Sequence, residues 1–212
     1  MESKNHKIVK NFISDSEADQ IRKWIEIDGL SPESANPNHH LIEIAKSING
    51  ISMIFDISNT NITEYITKFQ SIHKVKGVVP DFIKNIVDRV ADFNQLPKEH
   101  IFVQVVDMKK GGKINPHYDA SISGYINYKC NISVLSEDYD IFIGDTSVKI
   151  EEKDLYCFEA SLYKHWTNEF NSRRIFLSIG FIIPYSVMNR TENEPRVRLS
   201  KRIEKYFQNL SK

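Results

Sequence analysis

Between residues 101 and 184 the chain carries seven short runs rich in β-branched and aromatic residues, with no helical stretch between them. They are "IFVQVVDM", "YKCNISVL", "YDIFIG", "SVKIE", "DLYCFEA", "LYKHW" and "RRIFLSIGFIIP", separated by turn formers such as "GG", "NP", "SED" and "GD". So many strands without intervening helices predict an antiparallel sandwich or barrel.

The first hundred residues have a different period and read mainly as helices. "KIVKNFI" predicts a short strand. It leads into "SDSEADQIRKWIEI", a helix in which Ser14 and Glu17 have capping-box spacing and Ile21, Trp24 and Ile25 share a face. From Gly29 to about Asn61 the sequence reads as irregular, a candidate lid, with "SPESANPNHH" its most loop-like part. "TEYITKFQSIH" and "PDFIKNIVDRVADF" predict two further helices, the second with Phe82, Ile83, Ile86, Val87 and Val90 as its core stripe. The last segment, "EPRVRLSKRIEKYFQNL", predicts a helix with Leu199, Ile203, Phe207 and Leu210 on one side and its basic residues solvated. The expected organisation is one α+β domain of 212 residues: a helical supporting lobe over 1–100, a β core over 101–184 and a terminal helix over 185–212.

Charge narrows the function. Lys plus Arg number 28 and Asp plus Glu number 28, so there is no global basic field to recruit nucleic acid or a membrane surface. No apolar run approaches the ~20 residues that span a bilayer, and "MESKNHKIVK" lacks the apolar core of a signal peptide. Cys130 and Cys157 each sit inside an apolar run, as buried reduced thiols would, and the expected location is cytoplasmic.

The candidate chemistry lies in "GGKINPHYDA", residues 111–120. A glycine turn precedes His117-Tyr118-Asp119, and alternate residues of an extended strand point the same way, so 117 and 119 can aim at one point. Chance alone supplies roughly one His-x-acid in such a chain, so context decides. The context is His165, 46 residues beyond Asp119 with four strand-like segments between, enough to circle a small barrel and return. Arg173 and Arg174 follow. Two imidazoles and one carboxylate form the facial triad of non-haem Fe(II) sites, which leaves three adjacent positions open; zinc is compatible with the same ligand types. The adjacent His39 and His40, in a polar loop, read as solvent-exposed instead.

His117, Asp119, His165 and Arg174, in this order, resemble the Fe(II)/2-oxoglutarate-dependent oxygenases of the double-stranded β-helix (jelly-roll, cupin-like) fold. Over residues 101–184 the chain is most similar to their aspartyl/asparaginyl and amino-acid hydroxylase branch. The resemblance implies Fe(II) on His117, Asp119 and His165, 2-oxoglutarate held at its distal carboxylate by an arginine, and O₂ as the oxidant. It further implies hydroxylation of an amino acid, free, carrier-bound or in a peptide, with release of succinate and CO₂. Where that branch has Arg-x-His on the strand after the motif, this chain has Lys129-x-Asn131, a cation and an amide expected to contact cosubstrate or substrate. The gap from His165 to the arginines is about one residue short, which leaves Arg173 and Arg174 competing. Strand parity favours Arg174, because it shares a face with Ser178 and Gly180, whereas Arg173 shares one with Ile175, Leu177 and Ile179. Ser178 is a further candidate contact on that face. Two other readings stand beside the hydroxylase: a nucleic-acid dealkylase of the AlkB-like branch, which the balanced charge and Gly180 disfavour, and a non-catalytic cupin-like binding barrel. The expected partner is a small molecule or a peptide, with no membrane.

Overall fold

Every second residue of the last strand is a large aliphatic or aromatic side chain, and the residues between them are mixed. That strand is therefore built to divide two interiors. The computed structural model describes residues 6–27, 50–56, 74–75, 79–119, 121, 124–191 and 197. In chain order the elements are β1 (His6–Val9), α1 (Asp15–Ile27), β2 (Gly50–Asp56), β3 (Lys74–Val75), α2 (Asp81–Asn94), β4 (Ile101–Met108), β5 (Tyr125–Leu135), β6 (Tyr139–Ile143), β7 (Thr146–Ile150), β8 (Leu155–Glu159), β9 (His165–Thr167) and β10 (Arg174–Pro184). Seven of the strands form one sheet in the order β1-β8-β5-β10-β4-β2-β3, and three form a second in the order β7-β6-β9. All pairings are antiparallel except β2 with β3.

On one face of the large sheet, Ile175, Leu177, Ile179, Phe181 and Ile183 of β10 pack with Ile21 and Trp24 of α1 and Ile83, Ile86 and Val90 of α2. On the other face Phe176 joins Val106, Tyr156 and Phe158 in a core shared with Tyr139, Ile141, Ile143, Val148 and Ile150 of the small sheet. The second interior is not wholly apolar. Arg174, Ser178 and Asn131 are buried within it, and they mark where a site lies.

The two helices form where the spacing places them. In α1 the Ser14 amide donates to Glu17 Oε2 at 2.8 Å and the Glu17 amide to Ser14 Oγ at 3.2 Å, the reciprocal capping box. α2 starts after Pro80, buries Ile83, Ile86, Val87, Val90 and Ala91, and ends at Gln95 in the left-handed conformation. Its Phe82 packs edge-on against Trp24, ring centroids 6.1 Å apart.

Three elements differ from the sequence expectation. Residues 50–56, within the stretch read as irregular, form β2 and pair along β4 from Gly50↔Met108 to Asp56↔Phe102. β5 starts at Tyr125 rather than Tyr128, because β10 runs on to Pro184 and supplies a partner that far. "LYKHW" is a strand only from His165, since the Leu162 and Tyr163 amides both donate to Glu159 O and close a turn. The expected helix over 63–73, His39 and His40, and the rest of the lid segment lie outside the described residues. Of the terminal segment expected to be helical, residues 185–189 form a turn instead, and Tyr185 O accepts from the Met188 and Arg190 amides. Beyond residue 191 only Val197 is described, in helical backbone and buried. Among the described residues no helix is long and apolar enough to cross a membrane.

Candidate metal centre and the buried Arg174

After β4 the chain reverses at Gly111, whose φ of +84° belongs to the left-handed region that glycine adopts without strain. The reversal lays the next residues alongside β9. The Gly111 amide donates to Phe170 O and the Phe170 amide to Gly112 O; the Thr167 amide donates to Ile114 O, and the Ile114 amide to the Thr167 side-chain Oγ1. His117 and His165 then exchange both backbone hydrogen bonds, at 3.1 and 2.9 Å, as directly opposed residues. Their imidazole centroids are 4.2 Å apart. Asp119, two residues on, is fixed by its amide donating to Ala160 O at 3.0 Å.

One potential ligand atom from each of the three lies within 4.8 Å of the others. Asp119 Oδ1 is 3.2 Å from His117 Nε2 and 3.6 Å from His165 Nε2. Both imidazoles have their other nitrogen next to a backbone carbonyl: His117 Nδ1 is 2.7 Å from Asn115 O and His165 Nδ1 is 3.1 Å from Tyr163 O. In the tautomer those carbonyls favour, Nδ1 carries the proton and the Nε2 lone pairs face Asp119. This is the arrangement found around metal-bound histidines. Burial, with His117 beside it, pushes the His165 imidazole down to about 3, so it stays neutral. Burial would raise the Asp119 carboxyl, but the opposing influences, the Lys129 ammonium the strongest of them, hold the group well below the usual carboxylate range. The three side chains thus present two imidazole nitrogens and one carboxylate to a common point, a donor set that suits a divalent first-row metal.

Arg174 lies deeper in the same interior. Its guanidinium is sandwiched by the rings of Tyr139, Phe176 and Phe170 at 4.0, 4.3 and 4.6 Å. Nη2 donates to the hydroxyls of Tyr139 and Tyr156. Arg174 is 0% exposed, forms no ion pair among the described residues, and leaves Nε and Nη1 buried without a hydrogen-bond partner. A buried cation with free N–H groups and no counter-ion is costly, and it is tolerated where an anionic ligand completes it. A continuous line of contacts joins the two centres. The His165 ring meets Phe158 edge-on at 4.8 Å, Phe158 stacks on Tyr156 at 6.3 Å, and the Tyr156 hydroxyl reaches Arg174 at 3.2 Å. Arg173, by contrast, faces outward and is held bidentately by Asp107 at 3.0 and 2.8 Å.

The remaining expected site residues line the floor between these centres. Ser178 lies between Asn131 of β5 and Gln104 of β4 in register, and Ser178 Oγ and Asn131 Oδ1 are buried without partners. Ser178 is four residues along the strand from Arg174, roughly 13 Å at ~3.3 Å per residue, so the guanidinium finds its neighbours elsewhere. Lys129 is engaged: its Nζ is 2.8 Å from Asp119 Oδ2, a charge contact without hydrogen-bond alignment, and donates to Gln104 Oε1 at 3.4 Å. The sequence reading missed Tyr139, Tyr156, Phe170, Phe176 and Gln104. Phe176 shares Arg174's strand face, and the phenols stand in otherwise apolar strands, but nothing local says that these rings converge on one guanidinium.

No family model matches the chain, and no curated protein matches it. Solved structures do. A prolyl hydroxylase from Trichoplax adhaerens, in complex with a hypoxia inducible factor oxygen degradation domain peptide fragment, matches with a TM-score of 0.53 and 14% identity over 87% of this chain and 86% of its own. A viral collagen prolyl hydroxylase from Paramecium bursaria Chlorella virus-1 matches with a TM-score of 0.52 and 13% identity over 85% and 91%. A Pseudomonas putida prolyl-4-hydroxylase matches with a TM-score of 0.52 and 12% identity over 84% and 92%. These relatives are prolyl hydroxylases, so the likeness does not carry the narrower resemblance to the aspartyl/asparaginyl branch. At these identities it concerns the fold alone: the chain shares the architecture of these prolyl hydroxylases.

Proposed function

We propose that the chain is an Fe(II)- and 2-oxoglutarate-dependent oxygenase that hydroxylates an amino-acid residue, free, carrier-bound or within a peptide. In this reading the two sheets are the walls of a double-stranded β-helix with its core over 101–184, within one oxygenase domain. The observation that carries it is the buried, uncompensated Arg174 in the same interior as the His117, Asp119 and His165 cluster. A metal centre alone suits many functions, as does a lone buried cation. Together they fit a ligand with a chelating end and a distal anion.

His117 Nε2, His165 Nε2 and Asp119 Oδ1 would hold the iron. Arg174 would give its free Nε and Nη1 protons to the distal carboxylate of 2-oxoglutarate, and the Tyr139 and Tyr156 hydroxyls would position the guanidinium. Burial pushes the Tyr139 phenol up, so it stays protonated there. Asn131 and Ser178 would take the polar atoms between the two ends. When bound, iron and 2-oxoglutarate supply the O₂-dependent oxidation that yields succinate and CO₂ and hydroxylates the substrate. The aromatic cage contributes by excluding water, which strengthens the arginine–carboxylate contact.

Two features favour an amino-acid substrate over a nucleobase. The chain's charge is balanced, without a phosphate-tracking field. At position 180, where an AlkB-like enzyme would carry its second arginine, the chain has glycine, and the Phe102 ring fills the space a side chain would need. The test is succinate release with Fe(II), 2-oxoglutarate and O₂ across amino acids, proline-containing peptides and methylated single-stranded DNA and RNA. Stimulation by an amino acid or peptide is expected. Stimulation by the methylated oligonucleotides alone would overturn the substrate class.

A further inference from the structure

Lys129 and Asp119 form a close buried contact that the ligand roles above do not use. Resting on the reading of His117, Asp119 and His165 as metal ligands, we infer that Lys129 is a positioning residue that keeps Asp119 a one-oxygen ligand and so holds the third coordination position open.

The two carboxylate oxygens of Asp119 face different partners. Oδ1 is the oxygen beside the imidazoles, 3.2 and 3.6 Å from the two Nε2 atoms. Oδ2 is turned to the Lys129 ammonium at 2.8 Å. A carboxylate that grips a metal with both oxygens must bring both to the metal side, and the ammonium holds one of them away. The count of open positions depends on this. Two imidazoles and a one-oxygen carboxylate leave three of six octahedral positions free, while a two-oxygen carboxylate leaves two. A chelating keto acid together with O₂ needs three.

The ammonium is itself fixed. Gln104 Oε1 accepts from it at 3.4 Å from β4, two strands away from β5. Between them, in register with Lys129, β10 has Gly180, over which the Phe102 ring of β4 lies. On the other flank Phe158 of β8 pairs with Lys129 and packs edge-on against the His165 ring. The lysine is thus set at the level of the metal ligands, with 14% of its side chain exposed.

The test uses Co(II) as the metal, oxalate, a small two-oxygen chelator that fills two open positions, and azide as the probe of the third, each titrated calorimetrically into the whole chain. In Lys129→Met, Co(II) affinity stays within about threefold of wild type, while azide binding to the Co(II)- and oxalate-loaded protein weakens at least ~10-fold, a loss of about 1.4 kcal/mol. Lys129→Arg restores azide binding. Should Lys129→Met not fold, Lys129→Gln, uncharged and still polar, gives the same readout. Unchanged azide binding in the uncharged variant overturns the inference. So does a large loss of Co(II) affinity, which marks Lys129 as a plain structural counter-ion. If wild type binds Co(II), oxalate and azide but not 2-oxoglutarate, the oxygenase reading falls while the role of Lys129 stands. A wild-type chain that binds no Co(II) overturns both.

Discussion

Arg174 and Arg173 are adjacent in sequence and opposite in environment, and the difference makes a sharp comparison. Arg174→Met removes a fully buried partner for a carboxylate. It should weaken 2-oxoglutarate binding to the Mn(II)-loaded protein by about 2–5 kcal/mol, a factor of ~30 or more in Kd. Arg173→Ala breaks an exposed pair with Asp107, worth at most about 1 kcal/mol, and should leave that Kd within about fivefold. Comparable effects at the two positions would contradict the assignment. Because the buried guanidinium lacks a counter-ion, Arg174→Met should not lower the thermal midpoint of the ligand-free protein. His165 makes a pH prediction. Its folded value of about 3 lies below the ordinary 6.5, so the unfolded chain binds the extra proton between those values. Metal-free stability is therefore highest above pH ~6.5 and falls as the pH drops toward 3. Thermal midpoints from about pH 7 to 4.5 should decline more steeply in wild type than in His165→Gln. At this scale the sequence is informative where period 2 holds: it separates Arg174 from Arg173. It cannot report Tyr139, Phe170 or the Lys129–Asp119 contact, which depend on how distant strands are laid against each other.

Among the elements, β10 is the most constrained, because it faces both interiors. A Cβ built on Gly180 would lie 2.1 Å from the Phe102 ring, and such overpacking typically costs 1–3 kcal/mol. Gly180→Ala should lower stability in urea unfolding by about that amount, and Phe102→Leu in the same chain should recover part of it. Full additivity of the two changes would show that the ring does not fill that space. The elements legible beforehand were those with a strong local signature: the Ser14–Glu17 capping box of α1, the apolar stripe of α2 and the β-branched and aromatic runs of β4 and β10. β2 was not legible. "GISMIFD" lies in a stretch whose polar, proline-bearing part reads as loop, and its strand character comes from pairing with β4. Hydrogen bonds to a partner some fifty residues away have no local period.

For the whole molecule, the run of strands without helices between them already required an antiparallel β architecture, and the return of His165 beside His117 follows from closing it. Strand order, the division into sheets of seven and three, and the burial of Arg174 among aromatic rings come from side-chain packing across the interior, which no window of sequence encodes. The central claim is that one interior binds a metal and an anionic keto acid together. The direct measurement is the visible spectrum of the protein under anaerobic Fe(II) as 2-oxoglutarate is added. Wild type should develop the weak charge-transfer band of an iron-chelated keto acid. His165→Ala and Asp119→Ala should show no band at any concentration, and Arg174→Met should show it only at concentrations raised at least ~30-fold. A wild-type protein that binds Fe(II) yet develops no band at saturating 2-oxoglutarate would contradict the account.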